Sequence, residues 1–174
     1  MNTTATAVAL TDPERQFVGC LLWLPHHTAR AVLAGMRATD LADPMTAHVL
    51  HLVIEVVAAG QAPAPVTVYT HATATGHAPG EHRRHWLARW LADTYSHTPT
   101  PVPDVAWHLK TAVLEAAWRR ALTTHARRLL HATEHTPTEL LAELADDTEA
   151  ADELWTRYRQ ALAEVAPNRL EVAA

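Results

Sequence analysis

Histidine is the residue whose number and spacing come nearest to chemistry here: thirteen occur in 174 residues. His48 and His51 are three apart, as are His82 and His85, and His131 and His135 are four apart. Either spacing places two imidazoles on one face of a helix, as a metal pair requires. No carboxylate or cysteine completes a recognisable ligand set with them, and H-E-x-x-H does not occur. In a chain this rich in histidine such pairs arise by chance, so no metal and no cofactor is expected. Nucleophiles are as sparse. Ser96 is the only serine, and Cys20, the only cysteine, lies beside Leu21 and reads as a small core residue rather than a reactive thiol. A P-loop needs a glycine-rich turn ending in lysine to cradle phosphates. The five glycines (Gly19, Gly35, Gly60, Gly76 and Gly80) never precede a lysine, and Lys110, the only one, falls inside a helical stretch. The chain is therefore expected not to be an enzyme, and a histidine-based metalloenzyme ranks last among the readings.

Composition narrows the field further. The formal net charge is −5, from 19 acids against 14 bases, which offers no overall attraction for nucleic acid. A single cysteine rules out an internal disulfide framework and suits a reducing compartment. Residues 1–10 lack a basic segment and a long apolar run, so a secretory signal is not expected. The most apolar run, Val49 to Ala59, is short and contains His51 and Glu55, so no membrane span and a cytoplasmic location are expected.

The elements that would hold any site are helical. Thr11-Asp12-Pro13-Glu14 fits a capping box opening a helix to about Trp23, with Phe17, Val18, Leu21 and Leu22 inward. A second helix is expected over Thr28 to Met36. Asp43-Pro44 starts a third, with Met45, Val49, Leu52, Val53 and Val56 inward and Gly60 as its stop. Val66 to Thr73 has strand propensity, yet no second strand is available to pair with it, so a short helix is assigned. Glu81 to Asp93 follows, with Trp86, Leu87, Trp90 and Leu91 as its buried edge.

The longest element is Asp104 to Ala132. Pro99, Pro101 and Pro103 stiffen its approach, Asp104 is its expected N-cap, and neither Gly nor Pro recurs before Pro137. At about 1.5 Å per residue it spans roughly 40 Å, long for one domain. A second capping box, Thr136 to Glu139, precedes Leu140, Leu141 and Leu144. A last helix covers Thr148 to Val165, with Leu154, Trp155, Tyr158 and Leu162 as its stripe and Pro167 as its end. The expected fold is all-α: a compact head of about five to six helices over residues 11–103, then a C-terminal helical hairpin over 104–166 led by the long helix. A flexible tail precedes them (1–10) and a frayed one follows (167–174).

Charge is sorted along the last third. Lys110, Arg119, Arg120, Arg127 and Arg128 stand against the single acid Glu115, whereas Leu129 to Thr156 holds eight acids and no Lys or Arg. Any one exposed pair contributes only about 0–1 kcal/mol. Together the two blocks suit a hairpin, or two hairpins from different chains, held in register.

The order of these elements resembles the N-terminal domain of the bacterial DnaB-type replicative DNA helicase, over about Asp12 to Arg157. The family's first helix, E-A-E-x-x-(apolar)-L-G-x-L-L, is matched at Glu14, Gly19 and Leu21. Its D-F-Y segment is met by Asp40-Leu41, and its G-x-P-x-D-x-x-T helix end by Gly60 and Thr67. Trp86-Leu87 and Trp90-Leu91 echo G-G-x-x-Y-L-x-x-L. Thr98-Pro99 and Asp104-Val105 echo N-T-P-x-x-x-N-I with one extra residue, and Arg119 falls on the arginine of the long helix. The chain departs from the pattern at Ala42, where the family has an aromatic residue, and at Thr111 to Leu114, where it has I-V-R-E.

The resemblance implies a helical head and a hairpin that pairs between subunits, forming a collar that contacts primase and helicase loaders and catalyses nothing. The RecA-like motor that family members carry is not within these 174 residues. The expected function is thus a non-enzymatic interaction and oligomerisation module of DNA replication. Its partners would be a second copy of itself and the helicase, primase or loader. Its expected interface comprises Leu114, Trp118, Arg119, Arg120, Leu122, Arg127, Leu140, Leu144 and Trp155, with Trp118 as a central anchor. The alternative is a helical DNA-binding regulator using Arg119, Arg120, Arg127 and Arg128.

Overall fold

A computed structural model describes residues 12–98 and 102–171, with side chains described to residue 165. The described residues are all-α, with no strand among them. Helices α1 (Pro13–Leu21), α2 (His26–Leu33), α3 (Pro44–Ala58), α4 (Pro65–Ala74) and α5 (Gly80–His97) precede the long α6 (Pro103–His135). A short 3-10 turn, Ala38–Asp40, lies between α2 and α3, and α7 (Thr138–Asp146) and α8 (Glu149–Glu171) complete the order. None of these helices is long and apolar enough to cross a membrane. The chain divides into two units, residues 1–113 and 114–174. The boundary therefore falls at Leu114, inside α6, rather than at Asp104. The physical reason is that Ala106, Leu109 and Val113 are buried, so the first turns of α6 belong to the head.

The head is organised on α3, which packs against α1, α2, α4 and the 3-10 turn. Asp43 caps it, accepting from the backbone N–H and the hydroxyl of Thr46 at 2.8 and 2.7 Å. The Thr46 hydroxyl bond leads in holding the Asp43 carboxyl below the ordinary aspartate range, against the opposing effect of burial. At the other end Gly60, at φ +81°, takes the left-handed conformation, and Gln61 N–H returns to Val56 C=O. Val49, Leu50, Leu52, Val53 and Val56 are fully buried with Phe17, Val18, Leu21, Val32, Val68, Leu87 and Leu91.

Helix α1 is clamped to α5. Arg15 Nε donates to Thr94 Oγ1 at 2.9 Å while its guanidinium lies 5.2 Å from the Trp90 ring centre. Trp23 stacks on Tyr95 at 3.8 Å. Gly19 permits this closeness: a methyl there would run into Thr98 Oγ1 and lie 3.2 Å from Thr94 Cγ2. Gly19→Ala is expected to cost about 1–3 kcal/mol by overpacking, read as a lower urea midpoint at unchanged slope. An unchanged midpoint would mean that Thr98 yields without cost.

Several local expectations are corrected. Thr11 and the tail before it lie outside the described residues, as do residues 99–101. Asp12 is the N-cap of α1, accepting from Arg15 N–H at 3.0 Å. Glu14 reaches a distant loop and accepts from Ala42 N–H and Asp43 N–H. Helix α2 begins at His26 and ends at Leu33, because Gly35 at φ +74° turns the chain. Met45 is 45 % exposed, since it sits in the first turn of α3 beyond the packed face. Trp86 and Trp90 are half-buried, the core edge of α5 being Leu87 and Leu91. Asp104 lies in the first turn of α6, which starts at Pro103, a residue suited to that position by its fixed φ and missing N–H. Pro137 is the N-cap of α7 and no side chain caps it, so the second capping box does not form. Helix α8 continues through Pro167 to Glu171, which proline's φ allows at the loss of one backbone bond.

Candidate association surface

The second unit begins at Leu114 in α6 and includes α7 and α8. Arg128 pairs with Asp147 at 3.0 Å, and Trp118 meets Trp155 with ring centres 4.7 Å apart. Partners nearer the turn in one helix meet partners nearer the turn in the other, so α8 returns antiparallel to α6. Trp155 also lies 5.6 Å from the Tyr158 ring, and the Arg159 guanidinium sits 5.9 Å from its centre. Helix α8 carries Trp155 and Arg159, Asp147 closes α7, and α7 is a short helix at the turn.

Among its described residues, the buried apolar ones are Leu114 and the alanines Ala117, Ala132, Ala151 and Ala161. Trp118, Leu129, Leu141, Leu144, Leu154 and Tyr158 are half-buried. Leu130 is 70 % exposed and Leu140 53 %, and Leu122, Trp155 and Leu162 are also exposed. His125 Nδ1 is buried with no hydrogen-bond partner. The expected interface residues thus separate. Leu122, Arg127, Leu140 and Trp155 are exposed, and Trp118, Arg120 and Leu144 are half-buried. Leu114 is fully buried within its own chain and has no surface to offer a second copy. Arg119 is exposed but holds Glu115 through Nε and Nη2 at 2.9 and 2.7 Å. Of the arginines that would read DNA, Arg119 pairs with Glu115 and Arg128 with Asp147. Leu130 and Leu162 join the exposed set. Leu162 was visible on the predicted stripe of the last helix.

The chemically suggestive residues lie in the head. Cys20 is buried, which pushes its thiol up to about 11 and leaves it a core residue. Of the pairs suggested by spacing, His131 and His135 do lie together, while the histidines of the head gather around a carboxylate. On α3, His51 Nε2 lies 3.3 Å from Glu55 Oε1. Glu55 Oε2 lies 2.9 Å from His71 Nε2 on α4 and 3.3 Å from His77 Nδ1 in the following turn. Burial pushes the Glu55 carboxyl up, but the His71 hydrogen bond and the nearby imidazoles outweigh it and hold the group below its ordinary range. His48, partly buried beside His77, His51 and Arg83, is shifted down. The carboxylate that sequence inspection did not find for these histidines is Glu55, one turn beyond His51. Its i,i+4 spacing was legible, but the approach of His71 and His77 was not. His131 and His135 stack with ring centres 5.3 Å apart and gather no third ligand among the described residues.

Comparison with protein-family models, curated proteins and solved structures returns no match for this chain.

Proposed function

We propose that this protein is a non-enzymatic association module, joined to a second copy through its C-terminal hairpin and acting in the cytoplasm on the DNA replication machinery. The observation that carries the association is the set of large apolar side chains that the hairpin leaves exposed: Leu122, Leu130, Leu140, Trp155 and Leu162. The hairpin gains stability when those side chains leave water, at about 1.5–3 kcal/mol for each one fully buried. A second copy suits the surface because basic and acidic blocks succeed each other along one chain, so that two antiparallel hairpins set Arg127 against residues such as Glu139 and Glu143. The link to replication, with helicase, primase or loader as partner, rests on the order and spacing of elements that resemble the DnaB-type N-terminal domain.

Sedimentation equilibrium over a wide concentration range tests the association. A dimer or larger closed assembly is expected, and a strict monomer at the highest concentration would refute the hairpin interface. Capture of purified replicative helicase or primase on the immobilised protein tests the replication link separately. Binding of neither would remove it while leaving self-association intact.

A further inference from the structure

We infer that His51, Glu55 and His77 form a binding site for a zinc-class divalent cation on the head. Their ligating atoms all lie within 4.8 Å of one another. Glu55 Oε1 stands 3.3 Å from His51 Nε2, and Glu55 Oε2 stands 3.3 Å from His77 Nδ1. Zinc holds imidazole nitrogen and carboxylate oxygen at about 2.0–2.2 Å, and the edge of such a tetrahedron is about 3.3–3.6 Å. The same separations are long for charge-assisted hydrogen bonds, which close to about 2.7–2.9 Å. Each imidazole thus stands off its own carboxylate oxygen by about the edge length of a zinc site, wider than a direct hydrogen bond, with all three ligating atoms within 4.8 Å.

The supports are fixed. His51 and Glu55 share one face of α3, whose opposite face carries the fully buried Val49, Leu52, Val53 and Val56. His77 is set by Gly76 at φ +78° and by Ala78, which is buried and donates its N–H to Ala72 C=O at 3.2 Å. His71, at 2.9 Å from Glu55 Oε2, orients the carboxylate from behind, the usual task of an outer partner in a metal site. Two imidazoles and one carboxylate favour zinc, cobalt, nickel or copper over magnesium or calcium, which select oxygen. Three protein ligands leave a four-coordinate ion one position for water. Beside His77 opens a cavity of about 420 Å³ lined by Met45, His48, Arg83 and Trp86 among others.

Titration of the untagged full chain with Zn²⁺ against a chromophoric chelator, and with Co²⁺ by visible spectroscopy, tests the site. One ion per chain and the intense bands of tetrahedral cobalt are expected. His51→Ala, Glu55→Gln and His77→Ala should each weaken zinc binding by at least about 10-fold, and His71→Ala, a positioning change, by about 10-fold. His51 and His77 are 49 % and 36 % exposed, so their replacement should leave the zinc-free melting temperature unchanged. Zinc should raise that temperature in the wild type and not in these variants. Absence of binding at micromolar zinc would overturn the inference. So would uptake that survives all three ligand substitutions, or that is lost when His131 and His135 are replaced instead.

Discussion

Glu14→Ala is expected to destabilise the head by about 2–3 kcal/mol, a loss visible as a fall of roughly 1–2 M in the urea midpoint. The residue is a buried acid on α1, and its two oxygens accept from Ala42 N–H at 2.9 and 2.8 Å, with Asp43 N–H at 3.3 Å. These bonds tie the first helix to the loop that opens α3. Removing the carboxylate leaves two backbone donors without an acceptor and frees the residue whose side chain caps α3. A bond to a charged acceptor contributes about 1.5–3 kcal/mol, more than a neutral one. Glu14→Gln retains one acceptor oxygen without charge and should recover about half of the loss. Equal losses in both variants would assign the effect to charge alone. No loss in either would show that water replaces the carboxylate at Ala42 and Asp43 without cost.

The second large effect concerns association. Leu130→Asp with Leu140→Asp is expected to weaken self-association by at least about 100-fold. The two side chains are 70 % and 53 % exposed, so the single chain should keep its helical content by far-UV circular dichroism. Each leucine is expected to contribute about 1.5 kcal/mol or more on burial. In a two-fold interface each substitution also counts once per copy. Placing like charges in the same patch adds repulsion. Trp118→Ala should have a smaller effect, because Trp118 is already half-buried against Trp155 within one chain. A double variant that sediments like the wild type would move the interface away from these helices.

Much of the helical framework was legible from local chemistry. Asp43-Pro44 and Gly60 delimit α3 as capping and left-handed glycine require, and the 3.6-residue spacing of Val49, Leu52, Val53 and Val56 identifies its buried face. The α4 segment shows the limit of propensity. Val66 to Tyr69 favours strand locally, yet with no neighbour to pair with, the backbone satisfies itself as a helix. Capping boxes read less well. Glu14 sits at capping-box spacing, yet a loop 28 and 29 residues away presents two backbone donors to it that the spacing does not reveal.

The sequence by itself determined that this chain is all-α, that its last third carries a basic block followed by an acidic one, and that these 174 residues contain no P-loop motif. These are properties of local periodicity and composition, which need no knowledge of what lies across the fold. Tertiary structure alone decided which side chains meet. It buried Leu114, left Leu130 and Leu140 in water, and drew His71 and His77 to a carboxylate sixteen or more residues away. Burial and long-range proximity depend on how helices turn against one another. A helical stripe lists the residues on a face and leaves open whether that face is covered by its own chain or exposed to another.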